Sequence, residues 1–251
     1  MKTTVMIPAF NEERNIGRTL ESLPAQFVNP VVVVNGSNDR TAEIARSFGA
    51  TTLETERQGK LPAIQFALQA LGSKALEPVI LLDADTRPLM PRAWARTMTH
   101  ALHPDDDIPA AVSAPVWFVR NDQAERSSVV SATARSMYRQ AHGLLATINR
   151  NAPPAYYGPN QSFKLSNSDT LDAVLELGHF WPKEDVAMAN AIKSTGGTFR
   201  QLIDTRAMTV SPESAAFAPL IDYIKKPNDV DRAVTEAYRK TAPTDSTTYE
   251  A

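Results

Sequence analysis

The spacing of hydrophobic and polar residues changes period several times in the first hundred positions. TTVMIPAF, residues 3–10, is a short β-branched and apolar run that predicts a strand. NEERNIGRTLESL, residues 11–23, follows with Ile16, Leu20 and Leu23 at helical spacing. PVVVVN, residues 30–35, has four consecutive valines, the mark of a strand buried on both faces in a parallel sheet. GSNDRTAEIARSFG then turns into a helix that Gly49 can stop. ATTLETE predicts a third strand, KLPAIQFALQALG a third helix and PVILLDAD a fourth strand. This alternation predicts a three-layer α/β domain with a mainly parallel sheet. Ligands of such sheets lie beyond the carboxyl ends of the strands. Asn11, Asp39, Asp83 and Asp85, each just past a strand, therefore share one expected rim.

The second half is less regular. AAVSAPVWFV, residues 110–119, reads as one strand and residues 123–148 as a long helix. NRNAPPAYYGPNQSF, residues 149–163, reads as a loop rich in Pro, Gly and Asn. SDTLDAVLEL predicts a helix, Glu184 opens another, and TFRQLID predicts a strand. From Ser211 the pattern weakens into one or two short helices, and TAPTDSTTYEA at the end has a disordered composition.

Composition narrows the class without naming a chemistry. The 251 residues are 43% hydrophobic and 22% charged, with a formal net charge of -2. Bulk charge therefore does not recruit nucleic acid or an anionic membrane. No apolar run approaches the roughly 20 residues that span a bilayer, and the start lacks the apolar core and cleavage site of a signal peptide. The absence of cysteine excludes disulfides and thiolate metal sites and fits a reducing compartment. The expected location is cytoplasmic, with peripheral membrane contact as the alternative.

Four clusters have chemical potential. Asp83 and Asp85 end a strand expected to be buried, and two carboxylates there call for a cation or water. Residues two apart on an extended segment face the same side, so the pair suits a hard cation such as Mg²⁺ or Mn²⁺ shared with substrate phosphates. The plainer alternative is that the two acids cap the loop and the helix that follows, or simply meet solvent. In NGSNDRT, Asn35–Thr41, Gly36 permits a tight turn and Asp39 either caps the next helix or meets a ribose or base. Gly59 and Lys60 precede a helix, where a cation and free N–H groups neutralise a diphosphate. Glu184 and Asp185 open a helix, where acids favour the dipole and one of them also suits a general base.

In their order these clusters resemble one family. VMIPAFNEERNIGRTLESL, VVVVNGSNDRTAEIA, GKLPAIQFAL, VILLDADTRP and KEDVAMANAIKSTGG are similar to the inverting, nucleotide-sugar-dependent glycosyltransferases of family two, over residues 3–205. The resemblance implies the GT-A fold, a three-layer sandwich with a mainly parallel mixed sheet. It implies one catalytic domain over residues 1–210, with a nucleotide-binding half at 1–105 and an acceptor-binding half at 106–210. Residues 211–251 are expected to add a helical extension and tail.

The roles follow residue by residue. Pro8, Ala9 and Phe10 would line the base pocket, and Glu12, Asn35 and Asp39 would lie near base and ribose. Lys60 and Asp83 would approach the diphosphate, and Asp85, with Asp83, would hold Mn²⁺ or Mg²⁺. Asp185 would be the general base, with Glu184 beside it. Two positions depart from the family: Val34 replaces a common acid, and no histidine follows TFRQLID, so either Ser211 or Glu213 substitutes or the metal has fewer protein ligands. The implied partners are a nucleotide-diphosphate sugar donor and an acceptor among glycans, lipid-linked sugars, small molecules or nucleic acid. The helix at 123–148, Tyr156, Tyr157 and Trp181 are the expected acceptor surface. Arg120, Arg126, Arg135, Arg139 and Arg150 give that surface a basic bias or a solvated helix face.

Two other classes compete. A degenerate nucleotide-sugar-binding module fits the departures, but Asp83, Asp85 and Asp185 argue against it. A sugar nucleotidyltransferase needs a glycine-rich basic loop after the first strand, which PAFNEERN does not offer. A dinucleotide oxidoreductase fails for want of G-x-G-x-x-G.

Overall fold

The computed structural model describes residues 2–102, 107–114, 116–119, 160–178, 184–202, 204–207 and 209–212. The first half alternates as expected. It runs β1 (Thr3–Ala9), α1 (Ile16–Glu21), β2 (Val28–Asn35), α2 (Thr41–Ser47), β3 (Thr51–Thr55), α3 (Lys60–Leu71), a 3₁₀ turn (Gly72–Leu76) and β4 (Val79–Leu82). A two-residue β5 (Arg87–Pro88) and α4 (Pro91–His100) complete it. Beyond lie β6 (Ala110–Ser113), β7 (Val116–Val119), β8 (Asn160–Lys164), α5 (Ser168–Leu175), α6 (Glu184–Ser194), β9 (Thr198–Gln201) and β10 (Thr209–Pro212).

Seven strands form one sheet in the order β3-β2-β1-β4-β8-β6-β9. β3, β2, β1 and β4 are mutually parallel, β8 runs antiparallel to both β4 and β6, and β9 returns parallel to β6. The valine run explains the layering. Val31 and Val33 face a core shared with Leu61, Ile64 and Leu68 of α3, and with Met188 and Ile192 of α6. Val32 and Val34 face the opposite core, with Ile16, Leu20, Trp94 and Met98 of α1 and α4. A strand apolar at every position is what a sheet covered on both faces requires. The three-layer, mainly parallel mixed sheet is therefore the observed architecture.

Several expected boundaries need correction. The helix expected over 11–23 is confined to Ile16–Glu21 because the chain before it is held by another loop: the Glu12 N–H donates to Thr41 Oγ1 at 2.8 Å and the Glu13 N–H to Asp39 Oδ2 at 3.0 Å. The strand expected over 110–119 is two strands in different sheets, β6 in the large one and β7 beside β10 and β5 in a three-stranded one. Pro115 separates them in sequence, and proline has no N–H to give a ladder. Asn160–Phe163, read as loop, belongs to β8 in the middle of the large sheet. Its buried polar residues hide the strand pattern: Asn160 accepts from Trp94 Nε1 at 3.0 Å and donates to the Ala207 carbonyl at 2.7 Å, while Ser162 Oγ donates to the Met98 carbonyl. Ser211 and Pro212, where helix was expected, pair with β7 as part of β10, so this strand crosses the expected domain boundary at 210. The expected helix at 123–148, the loop residues 149–159 and everything after Pro212 lie outside the described residues.

Candidate functional site

The carboxyl ends of β1, β2 and β4 meet at one rim, as parallel pairing from Thr3–Val28 to Ala9–Val34 and from Thr4–Val79 to Met6–Leu81 demands. Pro8 and Ala9 close β1, with Ala9 buried, and Phe10 stands next to them 49% exposed. An aromatic of that size left half in water is available to stack on a flat partner.

The loops after β1 and β2 are stitched together by side chains. Asn11 sits at φ 54, a left-handed conformation that Asn tolerates. Its N–H donates to Ser37 Oγ, and its Oδ1 accepts from the Asn38 N–H, both at 3.0 Å. Asp39 accepts from the Thr41 N–H, Thr41 Oγ1 and the Glu13 N–H. Against the desolvation of burial, hydrogen bonds from Thr41, Glu13 and its own backbone hold the Asp39 carboxyl below its usual range. Asp39 is thus an organiser of the rim first. Asn35, at the end of β2, is buried; its Nδ2 donates to the Gly59 carbonyl at 3.0 Å, and its Oδ1 is buried without a partner. Gly59 has φ 107, which a side chain would strain, and so delivers Lys60 as the first residue of α3.

Lys60 Nζ donates to Asp83 Oδ1 at 2.6 Å. The strand ends at Leu82, and Asp83–Thr86 is a turn in which the Thr86 N–H donates to the Asp83 carbonyl at 3.0 Å. The extended Asp-x-Asp expected from the sequence is therefore corrected: the turn, not strand alternation, places both acids. Thr19 Oγ1 of α1 anchors it through the Ala84 carbonyl at 2.6 Å, and Thr86 Oγ1 donates to Asp85 Oδ1 at 3.3 Å.

Three carboxylates converge there. Burial, with the charges of Asp83 and Glu12, pushes the Asp85 carboxyl up to about 7. Burial also raises Glu12, against the hydrogen bond from Asn15 and with Asp83 and Asp39 adding to the rise. Acids that repel one another in a desolvated corner are a donor set suited to a hard divalent cation, whose charge reverses the repulsion. Asp85 and Asp83 fit that role on chemistry. Among the described residues no group of three or more His, Cys, Asp or Glu side chains is arranged to hold a metal ion, so such an ion would complete its shell from substrate phosphates and water.

Glu184 and Asp185 begin α6, which packs on β6 and β9. Their side chains lie outside the described residues, as do Tyr156, Tyr157, Trp181, Glu213 and the arginines at 120, 126, 135, 139 and 150. The sequence reading gave no bounds to the helix after Asp85, α4, although Pro91 at its first turn and Trp94, Ala95 and Met98, which the fold buries, were available signals. It missed Asn160, which ties α4 to β8. An open cleft of about 510 Å³ between α1 and α4, lined by Leu23, Pro24 and Met90 among others, contains none of the expected site residues. No helix among the described residues is long and apolar enough to cross a membrane.

Comparison with known proteins supplies a family and a fold. The model of the family described as Glycosyl transferase family 2 matches residues 4–152, more than half of the chain. A 4,4'-diaponeurosporenoate glycosyltransferase of Staphylococcus aureus (strain USA300) is 49% identical over 53 residues, 20% of this chain and 14% of that protein. The match thus spans a small part of that relative's length. Among solved structures, glucosyl-3-phosphoglycerate synthase of M. tuberculosis superposes with a TM-score of 0.54 at 18% identity, covering 97% of this chain and 82% of the other. A mannosyltransferase from Pyrobaculum calidifontis, solved with GDP-Man and Mn²⁺, gives a TM-score of 0.57 at 19% identity, with 96% and 76% covered. Likeness at such identity establishes the fold, which is the GT-A type.

Proposed function

This chain belongs to glycosyl transferase family 2, and we propose that it moves a sugar from a nucleotide-diphosphate donor to an acceptor hydroxyl with inversion. The observation that supports this most is the corner where Lys60 bonds Asp83 beside a desolvated Asp85. A cation and a pair of metal-competent acids at the end of β4 form a place for a diphosphate. The solved relative with GDP-Man and Mn²⁺ has the same fold, and a second, with a TM-score of 0.50, was solved with Mn²⁺, UDP and phosphoglyceric acid.

In this reading Phe10, Pro8 and Ala9 receive the base, and Glu12, Asn35 and Asp39 border the ribose. Asp85 and Asp83 would hold Mn²⁺ or Mg²⁺, which would supply positive charge to the diphosphate. Lys60 meets the same phosphates and offsets the negative charge that grows as the bond from the anomeric carbon to the diphosphate oxygen breaks. On the opposite face of the sugar, Asp185 takes the proton of the acceptor hydroxyl while its oxygen bonds to the anomeric carbon. Glu184 stands beside that base. General-base help of this kind contributes roughly 10²–10⁴-fold.

The test is a donor screen: incubation with several UDP- and GDP-sugars in Mn²⁺, following release of the nucleoside diphosphate. Slow hydrolysis of one donor class, lost in Asp85→Ala, supports the proposal. No release from any donor, together with no nucleotide binding, rejects it; binding without release favours a degenerate module.

A further inference from the structure

The sheet face beneath α3, α5 and α6 is apolar until its last row. Val79, Phe163, Ala111 and Phe199 lie side by side across β4, β8, β6 and β9. Each belongs to the hydrophobic core there or packs on it. One row closer to the rim the neighbours are Leu81, Gln161, Ser113 and Gln201. Residues two apart on a strand share a face, so Gln161 and Gln201 point the same way as Phe163 and Phe199.

Gln161 is 0% exposed, yet neither its Nε2 nor its Oε1 has a hydrogen-bond partner, and Gln201 Oε1 is likewise buried and unpaired. Each unmet group carries a desolvation cost that leucine at either position would not carry. Buried amides without partners are rare enough in folded proteins to need a specific reason.

Position suggests the reason. Gln161 pairs with Leu81 on β4, the strand that ends one residue before the Asp83 turn. Both sit on the α3 side, where Lys60 reaches Asp83. α6, which starts at Glu184, packs on β6 and β9, the strands of Ser113 and Gln201. The polar row therefore lies between the diphosphate corner and the start of the helix bearing Asp185. A primary amide is neutral, and it donates and accepts at once. That suits adjacent hydroxyls of a sugar ring and suits neither a phosphate nor an apolar acceptor.

We propose that Gln161, with Gln201 two strands away, forms the floor of a subsite that hydrogen-bonds hydroxyls of the transferred sugar and so selects the donor. This rests on the function proposed above, since it presumes a nucleotide sugar in the site. A site built to pair a hydroxyl discriminates strongly against a ligand that presents it wrongly.

The experiment is calorimetric titration of the protein and of Gln161→Leu, in Mn²⁺, with UDP, GDP and epimeric pairs of their sugars: UDP-glucose against UDP-galactose, and GDP-mannose against GDP-glucose. The variant is expected to bind the free nucleoside diphosphate within about twofold of the parent and to lose about tenfold or more of the parent's preference between epimers. Its thermal midpoint is expected to equal or exceed the parent's, because two unpaired groups are removed. Unchanged epimer preference means that the amide serves only a buried water or the core, and overturns the proposal. Should Gln161→Leu fail to fold, Gln161→Met is measured in the same way, and a lower midpoint with intact preference again overturns it. A parent that binds no nucleoside diphosphate defeats the underlying function instead, a pattern distinct from either result.

Discussion

Replacing Asp85 with asparagine removes a charge that the fold resists and that the proposed metal needs, so the two effects have opposite signs. The folded carboxyl titrates near 7 instead of 3.8, chiefly through burial and then through Asp83 and Glu12. Between those values the folded protein holds a proton that the unfolded chain has lost, so stability falls as pH rises through that window. The shift of about 3 units is worth about 4 kcal/mol once pH exceeds 7, at 1.36 kcal/mol per unit. At pH 5 only about a third of this has been lost. Asparagine keeps the shape without the charge. In metal-free buffer Asp85→Asn should therefore gain on the parent between pH 5 and pH 8 by about 2–3 kcal/mol, or about 5–10 °C in melting temperature for a chain of this size. Adding Mn²⁺ with a nucleoside diphosphate at pH 8 should close more than half of that gap, because a ligand at 100 times its Kd stabilises the parent by about 2.7 kcal/mol and the variant cannot hold it. Differential scanning calorimetry at the two pH values, with and without ligand, reads all of this. A variant less stable than the parent at pH 8 without metal, or a gain that is the same at both pH values, would refute the claim that Asp85 is a desolvated, repelled acid.

Three other outcomes follow from the same geometry. Asp185→Asn should bind donor as the parent does and lose roughly 10²–10⁴-fold in transfer rate; unimpaired single-turnover kinetics would remove Asp185 from the mechanism. Asp39→Ala frees the Glu13 and Thr41 N–H groups, and should cost about 1 kcal/mol in urea titration while weakening nucleotide binding. That stability difference should shrink as pH falls, because the Asp39 carboxyl is held below its usual range. Gly197→Ala places a Cβ against the Ile192 carbonyl oxygen and 2.8 Å from the Pro109 carbonyl oxygen, so the α6–β9 turn must shift. A loss of about 1–3 kcal/mol is expected, with no change in which donor is preferred.

The parts legible from sequence were those whose cause is local. Four adjacent valines can serve only a sheet covered on both faces, and Val31–Val34 do so. Gly59-Lys60 before a helix and Asp83 after a strand were readable one by one, and parallel pairing of β1, β2 and β4 brings them together. What stayed hidden depends on partners distant in sequence. Asn160, Gln161 and Ser162 resemble loop because nothing nearby reveals that Trp94, Met98 and Ala207 will meet two of them. Residues 12–15 have helical spacing, but Thr41 and Asp39 claim the N–H groups of Glu12 and Glu13 first. Asp85 was read as a metal ligand from its spacing to Asp83 and from family likeness, whereas its raised titration comes from burial in the folded rim, to which the charges of Asp83 and of Glu12 on another loop add.

The most direct test of the central claim is calorimetric titration of nucleoside diphosphate, UDP and GDP in turn, into the parent protein and into Asp85→Ala. Each is measured once with Mn²⁺ and once with EDTA. Binding by the parent only with Mn²⁺, abolished by the substitution, is the predicted result. Equal binding with EDTA, or an undisturbed isotherm in the variant, would contradict a diphosphate held at the Lys60–Asp83–Asp85 corner.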